Sequence, residues 1–190
     1  MKKIIAFEWL SLDGFIGGPN RESDWFIWDE EVGSYAKKVQ STSDTMLFGR
    51  TTYEIMANYW PTPSSSTEDP VLTDFMNDTN KIVFSKTLEK TDPIIGWKNS
   101  KLVSEITPEA IKKIKQQARK NILIYGSGSI VSQLMKLGLM DEYQIMVNPI
   151  VLGSGKALFQ NIEEKSKLKL LKTKKFKCGN VLIIYKAGNK

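Results

Sequence analysis

The chain contains no histidine and a single cysteine, Cys178. Without histidine there is no Ser-His-Asp or Cys-His nucleophile system, no histidine-based zinc centre and no zinc-deaminase ligand set. No metal site is expected. One cysteine permits no intrachain disulfide, and a cytoplasmic location fits that. No stretch approaches the roughly 20 apolar residues of a membrane helix, so no membrane partner is expected. The amino-terminal run starts like a secretion signal, but Glu8 and the polar stretch from Ser11 to Asn20 cut it short. It reads as a first strand. Proton transfer must fall to a carboxylate, a lysine, a tyrosine or water. Chemistry carried mainly by a cofactor would demand least of such a protein.

What is present suits one domain over residues 1–190. Hydrophobic residues make up 41% and charged residues 25%, enough for a sizeable core in a globular chain. The net charge of +6 is unevenly spread. Lys165, Lys167, Lys169, Lys172, Lys174, Lys175 and Lys177 crowd one segment, alternating with Leu168 and Leu170 and approaching Phe176. Alternation predicts a strand with one solvated face. No interleaved aromatic platform supports a nucleic-acid partner. A mild positive field would also attract an anionic cofactor.

The pattern predicts strands at 2–10, 45–48, 81–85, 93–97 and 122–125, and helices at 30–41, 51–59, 70–76 and 130–137. A further helix is capped by Thr107, with Pro108 at its first position and Ile106 stapled against Ile111. Thr51 and Glu54 have the spacing of a capping box. Residues 11–28 and 61–70 read as loops. The last third lacks a strong helix, and 142–151, 166–173 and 176–186 read as strands. The sum is an α/β fold: a mostly parallel mixed sheet, helices on both faces and antiparallel C-terminal strands.

Three strand ends carry phosphate-friendly groups. The first is Tyr125-Gly126-Ser127-Gly128-Ser129, followed by an apolar helical face and a stop at Gly138. Strand, glycine turn and helix together aim backbone N–H groups and a helix dipole at an anion. A tight turn that binds nothing is the plain alternative. Val131 stands where a dinucleotide fingerprint has its third glycine, and Asp141 and Glu142 come too early for its acidic residue. The second is Gly49-Arg50-Thr51, where a guanidinium fork sits beside a helix start. The third is Ser85-Lys86-Thr87. In open α/β sheets, ligands bind beyond such carboxyl ends.

The order of Ser11-Leu12-Asp13-Gly14, Phe48-Gly49-Arg50-Thr51-Thr52-Tyr53, Val83-Phe84-Ser85-Lys86-Thr87-Leu88 and Tyr125-Gly126-Ser127-Gly128-Ser129 resembles the dihydrofolate-reductase-like, three-layer fold. It is most similar to the C-terminal reductase domain of the riboflavin-biosynthesis deaminase-reductase, over about residues 2–186. That resemblance implies NADPH as cofactor. It places Gly49, Arg50 and Thr51 beside the cofactor phosphates, Ser85 and Lys86 at the adenosine 2′-phosphate, and Gly126, Ser127, Gly128 and Ser129 at the pyrophosphate. It puts Asp13 and Gly14 in the loop lining the nicotinamide and substrate pocket. Gly153 and Gly155 fall in a further substrate-side loop, Gly153-Ser154-Gly155-Lys156, which is no Walker A motif because Ile150 replaces its first glycine.

Dihydrofolate reductases carry a carboxylate on the helix before the Gly-Arg motif. Asp29, Glu30 and Glu31 lie near that helix start, where acid at a helix N-terminus is the plain alternative. Asp13 and Glu30 are the proton-transfer candidates, and Asp13 also suits a simple Asp-Gly turn. Trp25, Phe26 and Trp28 could stack a heteroaromatic ring or cover the core; Trp28 is the substrate-site candidate. Riboflavin-pathway reductases commonly carry a basic residue after Asp-Gly, and here it is Phe15. The implied activity is reduction of a pyrimidine- or pterin-like heterocycle, the uracil reductase step of riboflavin synthesis included. Dihydrofolate-reductase-like activity and a non-catalytic nucleotide-binding protein are the alternatives. The implied assembly is a homodimer.

Overall fold

The computed structural model describes residues 2–89 and 96–188. Its elements in chain order are β1 (Ile4–Leu10), β2 (Phe15–Gly17), α1 (Glu30–Ser41), β3 (Ser43–Gly49), α2 (Arg50–Tyr59), α3 (Pro63–Glu68), α4 (Pro70–Asp78), β4 (Asn80–Phe84), β5 (Ser100–Val103), α5 (Pro108–Gln117), β6 (Asn121–Ile124), α6 (Gly128–Lys136), β7 (Glu142–Val147), β8 (Lys156–Ala157), β9 (Leu168–Lys175) and β10 (Val181–Ala187). Eight strands form one sheet in the order β5-β4-β3-β6-β1-β7-β10-β9. The first six run parallel, and β10 and β9 pair antiparallel at one edge. The short strands β2 and β8 pair separately.

The central strands are apolar on both faces because helices cover both. Along β1, Ile4, Ala6 and Leu10 join Ile111 and Ile114 of α5 and Ile130, Val131 and Leu134 of α6. The alternate residues Ile5 and Phe7 pack with Ala36 and Val39 of α1. On β3, Leu47 belongs to the first face, while Met46 and Phe48 pack with Tyr53 of α2 and Met76 of α4. Period two in the strands thus divides three layers.

Helix ends follow local chemistry. The Val32 N–H donates to Asp29 Oδ1 at 2.7 Å, the Leu72 N–H to Asp69 Oδ1 at 3.0 Å and the Ala110 N–H to Thr107 Oγ1 at 3.1 Å. Each such cap contributes about 1 kcal/mol. Gly138, at φ +66°, ends α6: its N–H donates to Met135 and the Leu139 N–H to Leu134. That pair of bonds satisfies the last carbonyls of the helix.

Several expectations are corrected. The stretch 61–70 contains α3, begun by Pro63 at its first position and held by buried Ser65, whose hydroxyl donates to Trp60 O and Thr62 O. Thr51 caps nothing: α2 starts at Arg50 with Gly49 as N-cap, and Glu54 accepts from Arg50 instead. Helix α6 starts at Gly128, two residues early. The 142–151 strand stops at Val147. Strand β9 has no single solvated face; as the sheet's last strand, with an irregular register opposite Ile184 and Tyr185, it leaves Leu170 and Leu171 about half exposed along with its lysines. Of the expected strand at 93–97, residues 93–95 lie outside the described residues. The β2–β8 pair had no signal in the pattern.

Candidate functional site

The carboxyl ends of β3, β4 and β6 open into one cleft of about 530 Å³, lined by Gly49, Arg50, Thr51, Ser85, Lys86, Thr87, Ser127, Ser129, Gln133 and Lys156 among others. The sheet topology makes it: β3 lies between β4 and β6, so three segments far apart in sequence end side by side. A larger hollow of about 850 Å³ sits at the opposite ends of the strands, around Asp44, Asn80 and Arg119. There the Asp44 carboxylate already accepts the Arg119 and Lys120 N–H groups. Parallel sheets direct helix N-termini to the carboxyl end, which makes the smaller cleft the candidate site.

Its inner wall is built by close backbone approach. A Cβ on Gly49 would stand 2.7 Å from Ser127 Oγ, and one on Gly126 2.9 Å from Thr52 Cγ2. Gly126 has φ +72°, a conformation glycine adopts without strain. Ser127 has φ +151°, which a residue with a Cβ adopts only when its surroundings impose it. That twist turns the Ser127 carbonyl into α6, where it accepts from Ile130 and Val131. The Ser127 and Ser129 hydroxyls lie 2.6 Å apart at the helix mouth. The first turn of α6 contains no acidic residue, so its dipole meets an anion unopposed.

Arg50 crosses the cleft. Its Nε donates to Glu54 Oε1 at 2.7 Å and its Nη1 to Thr87 Oγ1 at 2.6 Å. The Ser85 hydroxyl accepts the Thr87 and Leu88 N–H groups, so it shapes its own turn. Lys86 pairs with Glu105 at 2.7 Å, and both side chains are more than half exposed. Such a pair is weak and exchangeable. The cleft therefore offers three cations, Arg50, Lys86 and Lys156, several hydroxyls and a helix mouth to a polyanion. Close-approach glycines and cationic donors fit the phosphates of a dinucleotide.

The other predicted residues fall elsewhere. Asp13 ties two loops: its carboxylate accepts the Leu152 N–H at 3.2 Å and the Gly153 N–H at 2.8 Å. Hydrogen bonding, from Ser11 first, holds it below the ordinary aspartate range. It is a strap that stays ionised, which suits no proton donor. Gly14 (φ +90°) and Gly153 (φ +76°) turn the chain on either side of that strap. Gly155 lies against Gly17, where a Cβ would stand 2.3 Å from the carbonyl oxygen. Glu30 is exposed in the first turn of α1. Neither Asp13 nor Glu30 lines the cleft, and neither do Gly14, Trp28, Gly153 or Gly155. Trp28, 53% exposed, stacks on Trp9 with centroids 5.5 Å apart, on the α1 side of β1. Gly126 and Gly128 stand behind the lining: a Cβ on Gly128 would meet the Leu158 carbonyl at 2.9 Å.

Thr87 and Lys156, read only as members of their motifs, line the cleft, and one group was missed outright. Glu8 is 5% exposed on β1, and its Oε1 is buried with no hydrogen-bond partner. Burial pushes the Glu8 carboxyl up to about 8, against the pull of the Gly126 N–H and the Lys156 ammonium. The signal was available: Glu8 is the one acid in a strand otherwise apolar on both faces, and an unpaired buried charge is costly. Asp141, at the far end of the sheet, accepts from the Ile4 N–H and pairs with Lys115, so it is no ribose ligand. Among the described residues, no cluster of three or more acidic or cysteine side chains is placed to hold a metal, and no helix is long and apolar enough to cross a membrane.

Comparison with known proteins agrees with this architecture. Residues 2–182 match the profile of the RibD C-terminal domain. The uncharacterized protein YyaP of Bacillus subtilis (strain 168) is 32% identical over 186 residues, covering 97% of this chain and 94% of that one. A deaminase and 5-amino-6-(5-phosphoribosylamino)uracil reductase of Thermotoga maritima superposes with a TM-score of 0.69 at 15% identity, over 98% of this chain and 57% of that one. Dihydrofolate reductase from Enterococcus faecalis, in complex with NADP(H), gives 0.63 at 14% identity, over 98% and 97%.

Proposed function

The chain belongs to the RibD C-terminal domain family and has the dihydrofolate-reductase-like fold; from that premise we propose that it is an NADPH-dependent reductase of a pyrimidine- or pterin-like heterocycle. The observation that carries the reading is the convergence of Arg50, Thr87, Ser127, Ser129 and Lys156 in one cleft at the carboxyl ends of the parallel strands. Gly49, Arg50 and Thr51 would hold phosphate oxygens, with the α6 mouth at Ser127–Ser129 taking the pyrophosphate. Lys86 and Ser85 would meet the 2′-phosphate, which selects NADPH over NADH. When bound, the cofactor supplies a hydride. The chain's own work is to hold both partners in register and keep water out. The half-buried Phe15, paired with Ala157 in the β2–β8 unit, offers a substrate phosphate no charge at the position after Asp-Gly, which favours the heterocycle over a phosphoribosyl group as the recognised part.

The test is thermal unfolding with NADPH, NADH and FMN, followed by NADPH oxidation across aminopyrimidines and dihydropterins. A ligand at a hundred times its dissociation constant stabilises the native state by about 2.7 kcal/mol. Stabilisation by NADPH above NADH is expected, and absence of any nucleotide effect overturns the reading. Stabilisation without oxidation of NADPH by any heterocycle would make the chain a nucleotide-binding protein of this fold.

A further inference from the structure

Reducing a C=N bond adds a hydride at carbon and a proton at nitrogen, and the sequence candidates for the proton are badly placed. Asp13 is strapped to a loop and held ionised. Glu30 is exposed in the first turn of α1, where water sets its charge. One carboxyl has the opposite character. Glu8 takes its place in the alternation Ile4, Ala6, Glu8, Leu10, whose other three members face α5 and α6. Its register partner is Ile145 on β7, also on that face. The Gly126 N–H, in the turn that builds the cleft wall, favours its ionised form against the burial. Lys156, which lines the cleft, is the cation within electrostatic reach.

We infer that Glu8, buried on β1 behind the Gly126 turn of the cleft wall, holds and delivers the proton of the reduction, with Lys156 as the positioning residue that steadies the carboxylate afterwards. The inference rests on the proposed reductase function. In the step, the Glu8 O–H bond breaks and an N–H bond forms on the heterocycle, while the hydride reaches the neighbouring carbon. The carboxylate that remains is reprotonated from water. An oxygen buried without a partner is costly, and a bound substrate nitrogen would satisfy it.

The surroundings suit a neutral acid. On the same face, β7 presents Tyr143, itself neutral because burial pushes its phenol up to about 12, and Ile145. The first turn of α6 presents no acid. Across the sheet the Tyr125 phenol, just past the end of β6, feels Glu8 but is likewise pushed up to about 12 by burial. Lys156 is thus the charge that sets how readily Glu8 gives up its proton.

The test uses the intact chain with carboxyl-13C-labelled glutamate, as wild type, Glu8→Gln and Lys156→Met. One glutamate should titrate near neutral to mildly alkaline pH, vanish in Glu8→Gln and titrate still higher in Lys156→Met. If every glutamate in the wild type titrates in the ordinary carboxylate range, the inference is wrong. Should Glu8→Gln fail to fold, the upward move in Lys156→Met still identifies the group. A second measurement locates it: calorimetric titration with NADP+ and with NADPH in two buffers of different ionisation enthalpy. The oxidised ring is positively charged, so NADP+ should expel more proton from the wild type than NADPH does, and Glu8→Gln should erase the difference. Equal proton release by both cofactors overturns the Glu8 assignment and leaves the reductase reading standing. Binding of neither overturns that reading, and the carboxyl titration still judges Glu8.

Discussion

Gly49 and Ser127 touch across the gap between two parallel strands: a Cβ on the glycine would stand 2.7 Å from the serine hydroxyl and 3.2 Å from its Cβ. This contact sets the width of the inner cleft. Gly49→Ala should therefore fold, since Gly49 has an ordinary φ of −84°, but it must push the Ser127 hydroxyl off Ser129. NADPH affinity should fall about tenfold, or about 1.4 kcal/mol. Ser127→Gly removes both the clash and the cost of φ +151°, so the double variant should regain affinity. Binding titrations on the four proteins form the cycle.

Arg50 must leave a partner to grip a ligand. Its Nε is committed to Glu54 in an exposed pair four residues apart on α2, a pair of a few tenths of a kcal/mol. Removing a charge-assisted phosphate contact costs about 1.5–3 kcal/mol. Arg50→Ala should weaken NADPH by a factor of ten or more, whereas Glu54→Gln should strengthen it slightly. Fluorescence titration of both variants checks this; unchanged NADPH affinity in Arg50→Ala would remove Arg50 from the phosphate site.

The buried Glu8 makes stability depend on pH in an unusual direction. Native Glu8 keeps its proton to about pH 8, while the unfolded carboxyl loses it near 4.5. Between those values the native state binds more protons, so its stability falls as pH rises. The contribution is full below pH 4.5 and gone above about 8, with an upper bound of about 5 kcal/mol over the window. Urea denaturation from pH 5 to 9 should show the decline in wild type and a flatter profile in Glu8→Gln.

Asp13 predicts the reverse sign. Its carboxyl is held low by hydrogen bonds, so its stabilisation exists above the ordinary aspartate range and disappears as pH falls through the lowered value. Asp13→Asn should free the loop around Gly153 and remove that acid dependence. Limited proteolysis within 149–155 and melting curves at acid pH measure the two effects.

Much of the architecture could be read along the chain because it rests on local rules. Thr107-Pro108 marks a helix start by capping chemistry, Gly138 marks a stop by its left-handed backbone, and the both-sided apolar strands announce a buried parallel sheet. The phosphate cleft was legible as three separate motifs, Gly49-Arg50-Thr51, Ser85-Lys86-Thr87 and Gly126–Ser129. Elsewhere the same local rules misled. Thr51 and Glu54 match a capping box, yet the helix begins one residue earlier and Arg50 takes the glutamate. Asp13 matches a pocket acid, yet Gly153, distant in sequence, claims its carboxylate.

The amino-acid sequence alone determined the layers and the ends of the elements, because propensity, capping and period are written within a few neighbouring residues. It also excluded histidine chemistry outright. The tertiary structure decided which of the acids are buried, Glu8 and Glu142 among the described residues. Glu8 acquires its character from β6 and β7 flanking β1 and from the reach of Lys156, and the electrostatics of a carboxyl depends on everything packed around it, wherever that lies along the chain.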